Sequence, residues 1–137
     1  MTMPFLRARA AHSEERSRID AIDRSQAVIE FRLDGTIVTA NANFLAATGY
    51  ALDEIVGQHH RMFVDPVYAR SDDYAAFWRK LGAGEFQAGE YSRIAKGGRP
   101  IWLQATYNPL LDRNGKPVRV IKFASDITEQ KNRAADH

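Results

Sequence analysis

A chain of 137 residues with 45% hydrophobic and 26% charged side chains has the composition of one soluble globular domain with a core of ordinary size. Nineteen basic residues against seventeen acidic ones leave only +2, with both signs interspersed, so there is no electrostatic footprint for nucleic acid. Cysteine is absent, which excludes disulfides, thiolate metal sites, cysteine nucleophiles and flavin–cysteinyl photochemistry; no apolar run or signal-peptide core stands out either, so a cytoplasmic protein without membrane insertion is expected.

The first two dozen residues read as a polar helix. Glu14 with Arg18 and Asp20 with Arg24 are acid-before-base pairs four residues apart, the favourable order. Only Leu6, Ile19 and Ile22 form an apolar stripe, too narrow for a free-standing helix, so this segment is expected to pack on another surface or on a second copy. "AVIEFRL" (Ala27 to Leu33) and "TIVTA" (Thr36 to Ala40) flank Asp34-Gly35, the signature of a hairpin with a two-residue turn. Asn41 or Asn43 then caps a short apolar helix that Gly49 stops. "ALDEIVG" supplies another helical turn, and His59 and His60 follow, with Pro66 limiting any helix through them.

Ser71 is placed to cap the next helix, with Asp72 and Asp73 near its positive end. Tyr74, Phe77, Trp78 and Leu81 recur at helical spacing and mark its core face. Beyond Gly82 and Gly84 come three strand-like runs, "FQAGEYSRIA", "PIWLQATYNPLL" and "VRVIKFASDIT", joined by "KGGR" and "DRNGKP". The order is two strands, several short helices and three strands. That predicts an α+β fold around one five-stranded antiparallel sheet with short helices on one face. The tail "EQKNRAADH" reads as the start of a linker or helix.

Few residues suggest chemistry. Adjacent helical positions diverge by about 100°, so only one of His59 and His60 is expected to face an interior, and no third ligand lies nearby to make the pair a metal site. Glu85 and Glu90, five apart on a predicted strand, face opposite sides and form no catalytic pair. Asp65, Asp72 and Asp73 lack metal-loop spacing and suit helix caps instead. "GAGEFQAG" is too loose for a phosphate loop, and Ser92 and Ser125 have no histidine near them in sequence. Trp102 falls on the outer face, where the N-terminal helix or a second subunit could cover it. Asp126 and Thr128 are placed to fix the end of the last strand by side-chain–backbone bonds.

"LDGTIVTANANFLAATGYALDEIVGQHHRMFVDP" resembles the first half of a PAS domain, and "EFQAGEYSRIAKGGRPIWLQATYNPLLDRNGKPVRVIKFASDIT" resembles the second. The Asn-x-x-Phe helix, the Thr-Gly-Tyr…Glu-Ile-Val-Gly run, the Lys-Gly-Gly turn, the Trp strand and the closing Asp-Ile-Thr carry the likeness in order and spacing. The "GQHHRMFVDP" stretch is most similar to PAS domains of bacterial chemoreceptors of the energy-taxis type. The resemblance implies a PAS domain at 26–128, a flanking helix at 1–25, and the start of a connector at 129–137. It implies a non-catalytic sensory or relay module whose pocket senses redox state, oxygen or a small ligand, working as a homodimer upstream of a signalling domain in the same chain. A dimerisation module without cofactor, and the input domain of a histidine kinase or cyclase, are the alternatives.

By the same resemblance, the pocket is lined by His59, His60, Phe63, Leu103, Ala105, Tyr107 and Ala124. Haem through one histidine is the first cofactor it suggests, and FAD the second. Leu103 and Ala124 stand where flavin-binding relatives carry amides, and Phe86 near where a tryptophan is common, which counts against flavin. Asp126 and Thr128 form the implied signal junction, and Leu6, Ile19, Ile22 and Trp102 the dimer interface.

Overall fold

The computed structural model describes the backbone from residue 4 to 135 and the side chains from residue 13 to 135. A long helix α1 (Pro4–Ser25) leads into β1 (Ala27–Phe31) and β2 (Ile37–Ala40). Four short helices follow: α2 (Ala42–Thr48), α3 (Leu52–Ile55), α4 (Pro66–Ala69) and α5 (Asp72–Gly82), with a 3-10 turn at His60–Phe63 before α4. Then come β3 (Gln87–Ile94), β4 (Pro100–Leu111), β5 (Pro117–Asp126) and α6 (Thr128–Ala135). The five strands form one antiparallel sheet in the order β2-β1-β5-β4-β3. This is the α+β architecture that the element order predicts.

Local chemistry sets the boundaries. Asn41 is the cap of α2: its Oδ1 accepts from the N–H of Phe44 at 3.0 Å and of Val28 at 2.9 Å. Its amide donates to the Gln26 carbonyl at 2.9 Å, and Asn43 donates to the Asp23 carbonyl at 2.9 Å. Two asparagines thus pin the end of α1 to the start of the sheet. Ser71 caps α5 as expected, accepting from the Tyr74 N–H, and Tyr74, Phe77, Trp78 and Leu81 are its buried stripe. The 3-10 turn through His60 stops at Phe63, short of Pro66, and Pro66 itself opens α4, because the Asp65 carboxylate caps that helix and a missing N–H is harmless at the first helical position.

Two local expectations change. The β1–β2 connection is not a two-residue turn: the Gly35 N–H donates to the Arg32 carbonyl at 3.0 Å, and the Arg32 N–H to the Thr36 carbonyl at 2.8 Å. Asp34 and Gly35 are therefore the end of a longer turn closed by a bulge, in which Gly35 takes φ of 92°. Glu85 lies ahead of β3, so it and Glu90 do not share a strand.

Gly35 also has no room for a side chain. A Cβ there would meet His59 Nε2 at 2.5 Å, and this nitrogen donates to the Asp34 carbonyl at 2.7 Å. The substitution Gly35→Ala therefore combines a strained backbone with a displaced imidazole. An expected loss of about 2–4 kcal/mol in urea unfolding, with the slope unchanged, checks this.

Candidate functional site

The sheet's inner face is built by period-two alternation. Leu103, Ala105 and Tyr107 on β4 and Ala124 on β5 point into the core, as does Phe63 from the 3-10 turn. Gly89, Ala105, Ala124 and Ala27 are paired neighbours across four strands, which makes a row of small residues on this face. Aromatic rings pack close by. A Cβ on Gly89 would touch the Tyr91 ring at 3.8 Å, and Tyr107 packs on Tyr91 and Phe77 with ring centroids 5.3 and 4.8 Å away.

The histidines are placed by an extended run. The Ile37 N–H donates to the Gln58 carbonyl at 2.8 Å and the His60 N–H to the Gly35 carbonyl at 2.9 Å, so residues 57–60 run beside β2 before the 3-10 turn begins. His59 is the cap of that turn, not a helical residue. Its Nδ1 accepts from the Arg61 N–H at 3.0 Å while Nε2 is held by Asp34, so its role is local and near the surface. His60 turns inward and is fully buried. One of the pair faces the interior, as expected, although extended geometry and not helical divergence separates them.

His60 belongs to a chain of hydrogen bonds whose proton positions follow from one member. The Arg93 guanidinium can only donate, so its Nη2, 3.0 Å from Tyr107, makes the phenol oxygen an acceptor. Tyr107 is fully buried and His60 Nε2, 2.9 Å away, is the one acceptor bonded to it among the described residues, so its hydroxyl donates there, and His60 Nδ1–H donates to the Tyr74 oxygen at 2.7 Å. His60 is therefore neutral with its proton on Nδ1. Burial lowers its pKa well below the usual histidine value, and the charges of Arg93 and Lys122 act in the same direction. Burial likewise raises Tyr107 and takes Tyr74 to about 12, so both phenols keep their protons.

Two members of this cluster are charged residues that the sequence reading passed over. Arg93 and Lys122 lie on the inner face with 5% and 1% exposure. Lys122 Nζ stands 4.7 Å from the centre of the Tyr107 ring, and burial, then Arg93, lowers its pKa well below the lysine norm. The alternation Val120–Lys122–Ala124 carried the signal: once Ala124 is assigned inward, Lys122 follows.

The other predicted residues lie on the outer side or the flanks. Thr128 Oγ1 accepts from the Trp102 N–H at 2.9 Å and bonds Asp126, whose carboxylate also accepts from the Thr128 N–H. The Ile127 N–H donates to the Trp102 carbonyl at 2.9 Å. The junction of Asp126 and Thr128 thus ties the end of β5 to β4. Trp102 is covered from the C-terminal side: Lys131 of α6 lies 4.7 Å over its ring and pairs with Glu90 at 2.6 Å. Ile19 and Ile22 are exposed on α1, and Ile19 borders a shallow outer-face groove of about 350 Å³ with Val28 and Ile121. The Leu6 side chain lies outside the described residues.

A family profile described as the PAS fold matches residues 37–124. The chain belongs to the PAS fold family. Over 120 residues this PAS domain is 45% identical to the biofilm dispersion protein BdlA of Pseudomonas aeruginosa, covering 88% of the chain and 29% of that protein. It is 29% identical over 104 residues to the aerotaxis receptor of Escherichia coli, covering 76% of the chain and 20% of the receptor. Among solved structures, a light-oxygen-voltage domain from work on a flavin analogue superposes with a TM-score of 0.69 at 27% identity, covering 86% of this chain and 90% of that one. The PAS domain spans less than a third of the length of the curated relatives it matches.

The interior of this PAS domain does not fit the cofactors considered from sequence. An axial haem ligand needs a free imidazole lone pair, and that of His60 is taken by Tyr107 while its other nitrogen serves Tyr74. Flavin does not fit either: Leu103 and Ala124 offer no amide to its ring edge, and the aromatic side chains of Tyr91, Phe77 and Tyr107 pack against one another beside the small-residue row. Among the described residues no cluster of His, Asp and Glu is suited to a metal ion, and no helix is long and apolar enough to cross a membrane.

Proposed function

We propose that this PAS domain is the non-catalytic sensory or relay module of a chemoreceptor-like protein, residing in the cytoplasm and passing the state of its interior to a following signalling domain. One observation carries the reading. The strand that supplies Tyr107 to the buried polar cluster also supplies Trp102 to the junction with Asp126 and Thr128, so the interior and α6 share β4. The likeness to BdlA and to the aerotaxis receptor supports it. In this reading residues 26–128 are the sensor, and 1–25 and 129–137 connect it to what precedes and follows. A chimaera in which this chain replaces the corresponding domain of a chemoreceptor tests it. Stimulus-dependent swimming bias is expected, and an output that never changes would overturn the reading.

A homodimer through α1 completes the proposal. Ile19 is 54% exposed and Ile22 38%, on a helix otherwise too polar to stand alone. Deleting residues 1–24 is expected to shift the protein toward monomer in sedimentation velocity. An unchanged association state would remove α1 from the interface.

A further inference from the structure

Among the described residues the interior buries two basic side chains, Arg93 and Lys122, and no acid. The four ion pairs among the described residues, Glu54–Lys96, Glu30–Arg119, Glu90–Lys131 and Glu129–Arg133, include neither Arg93 nor Lys122. Arg93 donates to the Ser92 carbonyl at 2.9 Å and to Tyr107, but its buried Nε has no partner at all. A guanidinium does not shed its proton on burial as an amine can, so an unmatched one at 5% exposure is a standing cost. Arg93 also lines a groove of about 400 Å³ between α4 and the edge strand β3, with Tyr68 and Tyr91 on its walls. The acids on that groove are committed elsewhere: Asp65 caps α4 through the N–H groups of Val67 and Tyr68, and Glu90 is paired with Lys131.

We propose that Arg93, backed by Lys122, is the receptor for a small organic monocarboxylate that enters through the α4–β3 groove and is held by the free Nε edge of the guanidinium. The class follows from the surroundings. A planar two-oxygen anion matches a guanidinium edge, the tyrosine rings suit a short organic body, and Asp65 and Glu90 at the rim disfavour an anion of higher charge such as phosphate. The proposal rests on the sensory reading above and names the chemistry of what is sensed.

The test titrates the full chain with acetate, pyruvate and benzoate, against acetamide and benzamide, at constant ionic strength. At least one carboxylate is expected to raise the thermal midpoint saturably by several degrees while its neutral analogue does nothing. The NMR signal of Arg93 Nε–H is expected to move with the same saturation. Arg93→Met is expected to abolish the effect and Lys122→Met to weaken affinity severalfold; the second variant replaces a buried amine that has no anion by a side chain of similar length and so remains folded. Failure of all three carboxylates, or native affinity in Lys122→Met, would overturn the proposal. Silence in this titration beside a responsive chimaera removes the carboxylate site and leaves the sensory reading standing; saturable binding beside a mute chimaera supports the site and removes the reading.

Discussion

Tyr107→Phe is expected to cost about 3 kcal/mol, a fall of roughly 10 °C in the unfolding midpoint for a domain of this size. The ring itself stays packed, since Phe keeps the contacts to Phe77 and Tyr91 at 4.8 and 5.3 Å between centroids. What is lost is one oxygen that accepts from Arg93 and donates to His60. Both partners are buried and neither has a substitute, so the cost is two orphaned polar groups, one of them charged. Tyr74→Phe makes the contrast. Its oxygen accepts one bond from a neutral histidine, at the edge of the cluster, and a loss of about 1–2 kcal/mol is expected. Urea unfolding of both variants, with unchanged slopes, measures the difference. Equal losses would show that the bond to Arg93 adds nothing.

How far the sequence revealed this arrangement depends on which physical signal each residue carried. Leu103, Ala105 and Tyr107 were legible as inner-face residues because a strand's period of two leaves one assignment once one position is known. The α5 stripe was legible for a similar reason, and so was an asparagine cap on α2, narrowed to Asn41 or Asn43, each being a local pattern with a local cause. Arg93 and Lys122 were not, because the ordinary cost of burying a charge outweighs periodicity in any reading of one chain. Yet the same periodicity places Lys122 with Ala124, so the information was present and overridden. The cover on Trp102 had no local signal: two charged helices flank the sheet in sequence, and only the fold decides that Lys131 of α6 lies on the ring. His59 and His60 lay between these cases. Their divergence was predictable, but the extended pairing beside β2 that produces it depends on contacts more than twenty residues away.

Lys122→Met is expected to stabilise the protein by about 2 kcal/mol at pH 7, against the usual direction of core substitutions. Lysine and methionine have similar length and volume, so the replacement keeps the packing on Tyr107 while removing an amine that lacks an anion and is 1% exposed. The pH dependence identifies the cause. The folded-state pKa of Lys122 lies well below 10.5, so between these values the unfolded chain holds a proton that the folded chain does not. Stability of the native sequence therefore rises with pH in that window, by up to about 1.4 kcal/mol per pH unit for one proton. Tyr74 and Tyr107 act oppositely above about pH 10, where the unfolded chain loses phenol protons that the folded chain keeps, so the measurement belongs between pH 7 and 9.5. His60 and His59, both lowered by burial, reduce stability only below about pH 6.5, and equally in both proteins. Denaturant midpoints across pH 7 to 9.5 are thus expected to climb in the native protein and to stay level in Lys122→Met, the two curves converging as the pH rises. Parallel curves would mean that Lys122 is charged in the folded state, and that the ring of Tyr107 is enough to hold it there.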